Sequence, residues 1–172
     1  MIIREEKEAD RLAIGALNRR TFGGDYEAQL IDQLRAAHLI VASLVALDGN
    51  EVIGHLLFSS LPVEIDGRDV NAVALAPMAV SPDRQRQGIG SKLVTEGLAL
   101  LRKKQVEAVI VLGHTAYYPR FGFSPLLTQK LASPFRGMGE FMALELVVGS
   151  LAGQKGSVKY PEAFGLAKGH PI

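Results

Sequence analysis

The chain has 172 residues, 22% of them charged, and a formal net charge of +1, which suits one ordinary hydrophobic core and gives no reason to expect nucleic acid or an acidic membrane surface as partner. It contains no cysteine, which excludes a disulfide scaffold, a thiolate metal site and a cysteine nucleophile carrying an acyl group. The N-terminal Met1-Ile2-Ile3-Arg4-Glu5-Glu6-Lys7 turns charged before a signal-peptide core can form, and the apolar run around Leu39 to Leu47 is too short to span a bilayer, so a soluble cytoplasmic protein is expected.

In chain order, Met1 to Arg4 predicts a short strand. Ala9 to Phe22 predicts a helix from the spacing of Leu12, Ala13, Ala16 and Leu17, and Tyr26 to Ala37 repeats the pattern with Leu30, Ile31 and Leu34. Ile40 to Asp48 and Glu51 to Glu64 are β-rich runs joined by Asp48-Gly49-Asn50, a hairpin signal. Asp66-Gly67 marks a second hairpin leading to a strand from Val70 to Val80 that Pro77 interrupts. Ser91 to Lys104 predicts an amphipathic helix whose basic end, Arg102-Lys103-Lys104, suits the C-terminal dipole. Val106 to Leu112 is a continuous apolar run, as in a strand covered on both faces. Ala116 to Phe121 predicts at most a short helix, and Phe141 to Val148 a late strand. After Gly149 the pattern weakens into a glycine-rich tail with Tyr160 and Phe164 as anchors. An antiparallel meander followed by a βαβ unit predicts a mixed α/β sheet with helices on its faces. No repeat or internal boundary is visible, so residues 1–172 are expected to form one domain, with a core to about residue 148 and an extension over 149–172.

The turn between the Val70 strand and the Ser91 helix carries the chemistry. Gln85-Arg86-Gln87-Gly88-Ile89-Gly90 would present backbone N–H groups at a helix N-terminus, where the dipole favours an anion. Gly88 and Gly90 carry no Cβ and let the chain approach a pyrophosphate closely, and Arg84 and Arg86 add positive charge. Glycine at a helix start also serves structure alone. Pro77 lacks an N–H, so its strand should bulge or splay and leave backbone groups for an extended ligand. A dinucleotide site does not fit, because the third spaced glycine and the acidic residue after a second strand are missing.

The run Ala76-Pro77-Met78-Ala79-Val80-Ser81-Pro82-Asp83-Arg84-Gln85-Arg86-Gln87-Gly88-Ile89-Gly90-Ser91-Lys92-Leu93 resembles the acyl-CoA motif of the GNAT superfamily of N-acetyltransferases. Tyr117-Tyr118-Pro119-Arg120-Phe121-Gly122-Phe123 is similar to its second hallmark, at the matching distance and over roughly residues 1–148 in all. Together with Leu112-Gly113-His114, these pieces look closest to a bacterial group of small predicted acetyltransferases. The resemblance implies a mostly antiparallel sheet splayed at Pro77 and flanked by helices. It implies acetyl-CoA as co-substrate without a metal, with Met78, Ala79, Val80, Gln85, Arg86, Gln87, Gly88, Ile89, Gly90 and Ser91 holding it. The pantetheine arm would pair with Met78 to Val80 as an added strand, the Met78 N–H facing the thioester carbonyl and Val80 holding an amide.

Tyr118 takes the motif's tyrosine position and is the expected proton donor, since a phenol near 10 is protonated at neutral pH and can serve a thiolate whose thiol is about 8.5. As a purely structural residue it would be a core aromatic with a satisfied hydroxyl. No carboxylate marks the base: Ala72, Ala74 and Ala76 alternate on the cofactor strand, leaving His55, His114, Glu64 or a water chain. His114 follows the apolar strand at an edge where such sheets place sites, His55 reads as buried or half-buried, and His38 and His170 as surface. The expectation is direct acetyl transfer to a primary amine in a ternary complex, with a catalytically silent acyl-CoA sensor as the alternative. The acceptor is a small-molecule or peptide amine of unread identity, and a homodimer stays open.

Overall fold

The computed structural model describes residues 1–166. They divide into two compact units, Met1–Ser59 with Ala76–Leu101, and Ser60–Leu75 with the chain from Arg102 onward.

The first unit opens with β1 (Ile2–Glu5), a 3-10 turn (Glu8–Asp10), α1 (Arg11–Phe22), α2 (Tyr26–Ala36) and β2 (Ile40–Asp48). β1 runs antiparallel to β2, with Ile2 opposite Leu47, and β2 forms a hairpin with β3 (Glu51–Ile65) through the Gly49-Asn50 turn. β4 (Arg68–Val80) follows Asp66-Gly67, and α3 (Ile89–Lys103) follows β4. α3 lies closely against β3: a Cβ on Gly54 would stand 2.9 Å from Leu93 and 3.0 Å from Ile89, and one on Gly97 would stand 2.6 Å from Phe58. Those two contacts set how deep α3 sits, and with it where its N-terminus points.

One face of α1 departs from the sequence expectation. Leu12 is 89% exposed, while Ile14, Leu17 and Asn18 are buried. Ile14, Leu17 and Asn18 stand three and four residues apart and share a face, but its third member is polar and breaks the hydrophobic pattern. Asn18 belongs there because its amide donates to the Ile14 carbonyl at 2.9 Å and lies 3.4 Å from His55 Nδ1.

The second unit holds the start of β4, β5 (Ala108–Leu112), β6 (Leu131–Ala132), β7 (Phe141–Glu145) and β8 (Gly156–Val158). β5 is parallel to β4 and antiparallel to β7, so the β4–α3–β5 crossover expected from the sequence is present. The eight strands order as β1-β2-β3-β4-β5-β7, with β8 pairing β3 and β6, and the sheet is mixed and mostly antiparallel. The β4–β5 ladder includes only Ala72, Val73 and Ala74, although β4 continues to Val80.

Two strands escaped sequence reading, β6 and β8, because runs of two and three residues show no alternation. β8 pairs with Val63–Ile65, so the tail after Gly149 joins the sheet. Phe164 is fully buried and meets Tyr160 edge-on at 5.3 Å, while Tyr160 meets Phe135 at 5.4 Å. His170 lies outside the described residues. Among those described, no helix is long and apolar enough to cross a membrane.

Candidate active site

The β4–α3 connection is a turn with two left-handed residues. Arg86 has φ 62° and Gly88 has φ 82°. For arginine this conformation costs about 1–2 kcal/mol, which the surrounding bonds must offset. The first ladder bond of α3 runs from the Lys92 N–H to the Gly88 carbonyl at 3.1 Å, so Gly88 caps the helix and the Ile89 and Gly90 amides precede its hydrogen-bond ladder. Left-handed residues interleaved in a turn point successive N–H groups into one concavity, which suits an anion. A Cβ built on Gly88 would meet nothing within 4 Å, so the space in front of Gly88 is open. A pyrophosphate fits these residues, with the α3 dipole behind it.

Several side chains of this segment brace the turn. Gln85 Nε2 donates to the Val80 carbonyl at 3.1 Å, and Gln87 Nε2 to the Asp83 carbonyl at 3.4 Å. Arg84 donates to Asp48 at 2.9 Å and stands 3.8 Å from Asp83. Arg86 is exposed. Upstream, the Ala76–Pro77 peptide is cis, Ala79 is buried, and Met78 and Val80 are half-buried on the alternate face.

Ser81 stands within the motif run, but its sequence position carried no role for it. It is 2% exposed, its hydroxyl donates to Asp83 Oδ1 at 2.6 Å and accepts from Arg20 Nη2 at 3.0 Å, and its amide donates to the Ile53 carbonyl at 2.9 Å. A serine beside Pro82 carries no signal of burial in sequence, and Arg20 is an exposed helical arginine like many others.

His55 is removed from the base candidates. It is fully buried, and burial holds its imidazole down at about 4, against a rise from Glu6 and a further fall from Arg35. The ring is therefore neutral at pH 7, and the 4.0 Å approach of Nε2 to Glu6 is not an ion pair. Asn18 can only donate to Nδ1, so Nε2 carries the proton and gives it to Ser43 Oγ at 3.0 Å. The Ser43 hydroxyl in turn donates a hydrogen bond to Glu6, which Arg35 holds at 2.7 Å. Each link of this chain is structural.

The aromatic segment is built by packing. Tyr118 opens the 3-10 turn Tyr118–Phe121, which Gly122 closes at φ 98°. Its ring is 7% exposed and stands edge-on to Tyr117 at 5.1 Å and Phe123 at 5.6 Å. Arg120 lies over the Tyr117 ring at 4.6 Å. Burial, and then Tyr117, push the Tyr118 phenol well above its ordinary value, so it is protonated at any pH the protein meets. A Cβ on Gly113 would stand 2.3 Å from Tyr118 Cε2, so glycine is needed there to seat the ring. The His114 carbonyl accepts the Tyr117 and Tyr118 amides at 3.0 and 3.2 Å, while its side chain is exposed. Glu64 is exposed on β3, opposite Ser157 of β8. Among the described residues no group of three or more His, Asp or Glu could hold a metal ion.

Residues 12–123 match the acetyltransferase (GNAT) family, and the uncharacterized N-acetyltransferase YhbS of Escherichia coli K12 is 39% identical over 166 residues, 95% of this chain and 98% of that protein. The chain belongs to the GNAT family. A second E. coli K12 N-acetyltransferase, YjhQ, is 33% identical over 126 residues, 72% of this chain and 69% of that protein. The crystal structure of E. coli YhbS in complex with CoA superposes with a TM-score of 0.86 at 38% identity, covering 95% of this chain and 91% of that one. A GNAT acetyltransferase from Brucella melitensis in complex with acetyl-CoA gives 0.77 at 34% identity, covering 95% and 97%. GNAT membership makes this protein an acyltransferase of the N-acetyltransferase kind.

Proposed function

We propose that this GNAT protein binds acetyl-CoA on the β4–α3 turn and transfers the acetyl group directly to a primary amine. The observation that carries the reading is the pair of left-handed residues, Arg86 and Gly88, set against the cap of α3 with open space in front of Gly88. Relatives with this fold at 38% and 34% identity hold CoA and acetyl-CoA. The chain has no cysteine to carry the acetyl group between two half-reactions, so transfer in a ternary complex is the simpler route.

In this reading the amides from Arg86 to Ser91 hold the pyrophosphate, and the edge of Met78 to Val80 pairs with the pantetheine arm. The Val80 carbonyl already accepts from Thr21 and Gln85, so the arm meets the remaining backbone groups of that edge. The Met78 N–H polarises the thioester carbonyl. The amine nitrogen attacks that carbon, the C–S bond breaks, and the thiolate takes the proton of Tyr118, which solvent then restores to the phenol so that the residue returns to its starting state. The amine's own proton leaves to solvent or to His114.

Calorimetry with CoA and acetyl-CoA tests the cofactor half, with dissociation constants expected in the micromolar range. Gly88→Glu places a carboxylate where the pyrophosphate belongs and should abolish binding, while costing only the left-handed strain of about 1–2 kcal/mol in stability. CoA release with a panel of small and peptide amines tests the transfer half. No binding by the wild type overturns the reading, and binding without release on any amine overturns the transfer step.

A further inference from the structure

Ser81 stands where β4 ends and the turn begins, and it is almost wholly withdrawn from solvent. Four hydrogen bonds converge on it. Its amide donates to Ile53 of β3, its carbonyl accepts the Arg84 amide at 2.8 Å, and its hydroxyl joins Arg20 to Asp83. The neighbouring Val80 carbonyl accepts from Thr21 Oγ1 at 3.3 Å. Arg20 and Thr21 are consecutive residues in the last turn of α1, so the end of one helix holds the strand exit at two successive residues. A turn containing a left-handed arginine does not keep its shape unaided, and these bonds are what fix its entry.

Asp83 gives the arrangement a second consequence. It lies three residues before Arg86, in the segment that would face an anion, where a carboxylate is unfavourable. Ser81 fixes one of its oxygens by hydrogen bond, and Arg84 flanks the other at 3.8 Å. The Ser81 hydroxyl, then the backbone amide, hold the Asp83 carboxyl below its usual range, so it stays ionised and bound to Ser81.

We propose that Arg20 and Ser81 are positioning residues for the nucleotide end of CoA: through Asp83 they fix the approach to the phosphate turn and keep a carboxylate turned away from the phosphates. The proposal rests on the acetyl-CoA reading. Arg20 bonds the Ser81 hydroxyl rather than a backbone group of the turn or of Met78 to Val80, so its influence should fall on the phosphates more than on pantetheine.

The test measures dissociation constants of CoA and of pantetheine by calorimetry, and acetyl-CoA steady-state kinetics, for wild type, Arg20→Met, Arg20→Lys and Ser81→Ala. Arg20→Met keeps the aliphatic stem and removes the donors. It should weaken CoA by about tenfold, the usual scale for losing a hydrogen bond from a charged group, and leave pantetheine unchanged. The KM for acetyl-CoA should rise by the same factor with kcat within about twofold, because the reacting atoms are untouched. Arg20→Lys retains one donor and should recover part of the loss. A general loss of folded protein would instead lower apparent kcat and leave KM alone. Should Ser81→Ala not fold, Arg20 is exposed and its two variants decide the matter. If wild type binds CoA and Arg20→Met binds it equally well, or loses CoA and pantetheine to the same extent, the positioning role is wrong. A wild type that binds no CoA overturns the acetyl-CoA reading, and the positioning role falls with it.

Discussion

The connection after β4 and the connection after β5 are both irregular, and they are held in opposite ways. The first is a polar device: exposed Gln85 and Gln87 bond back to backbone carbonyls, half-buried Arg84 to the Asp48 carboxylate, and buried Ser81 ties the ends together. The second is an apolar device, in which Tyr118 is wedged between Tyr117, Phe123 and the bare backbone of Gly113. The polar turn leaves open space in front of Gly88, as the proposed anion site requires. The aromatic wedge keeps one phenol protonated by hiding it from water. The first should therefore tolerate changes of side-chain volume and fail when a charge or donor changes, and the second should do the reverse.

Tyr118→Phe offers the largest test of that contrast. It keeps the ring in the wedge and removes only the phenolic proton, so the fold and acetyl-CoA affinity should stay as they are while turnover falls about 10²-fold or more. Because burial pushes the phenol above its ordinary value of about 10, wild-type turnover should show no basic limb from this residue below that pH. Turnover equal to wild type on an identified amine would assign the proton to solvent or to another group.

Acid should single out the unit that carries the polar turn, since it also holds His55. The folded value of about 4 lies below the ordinary 6.5, so the unfolded chain binds a proton first as pH falls. Stability is complete above about pH 6.5 and declines toward pH 4 by roughly 3 kcal/mol. Asp10, Asp66 and Asp83 are held below their usual range and titrate beneath this window. Urea unfolding at pH 7 and 4.5 should show the decline in wild type and flatten it in His55→Gln, and parallel curves for the two would refute it.

Gly113→Ala attacks the aromatic wedge by volume. The added carbon would fall 2.3 and 2.7 Å from two Tyr118 ring atoms, so the ring must move. The cost should be roughly 1–3 kcal/mol, with turnover reduced and CoA affinity kept. A melting temperature and turnover unchanged from wild type would mean that the ring has room.

The contrast also explains what could be read from residues alone. Hairpins at Gly49 and Gly67, the β4–α3–β5 crossover and the Gly88 turn were legible because turn chemistry and apolar runs are local. α1 was assigned its helix but not its buried face, since Asn18 is buried by a histidine 37 residues away and no periodicity reports that. The roles of Ser81 and Gly113 were not legible for a related reason: a serine and a glycine in a motif acquire those roles only from what lies against them, Arg20 in one case and the Tyr118 ring in the other. Arg84 was legible as charge, but its partner was not.

Arg84 supplies the smallest effect and the finest distinction. It sits 2.9 Å from Asp48, with side chains 36% and 49% exposed, and such pairs contribute roughly 0–1 kcal/mol that salt screens away. Arg84→Met should therefore leave the melting temperature within a degree or two of wild type. In the structure the guanidinium is committed to Asp48 and flanks Asp83, so the variant should also bind CoA within about twofold of wild type, in contrast to the tenfold expected for Arg20→Met. Asp48→Ala separates the two roles open to this arginine. If Arg84 only braces the turn, Asp48→Ala and Arg84→Met behave alike. If Arg84→Met alone weakens CoA strongly while stability stays put, the arginine exchanges Asp48 for phosphate when the cofactor arrives, and the donor role read from its sequence position is the correct one.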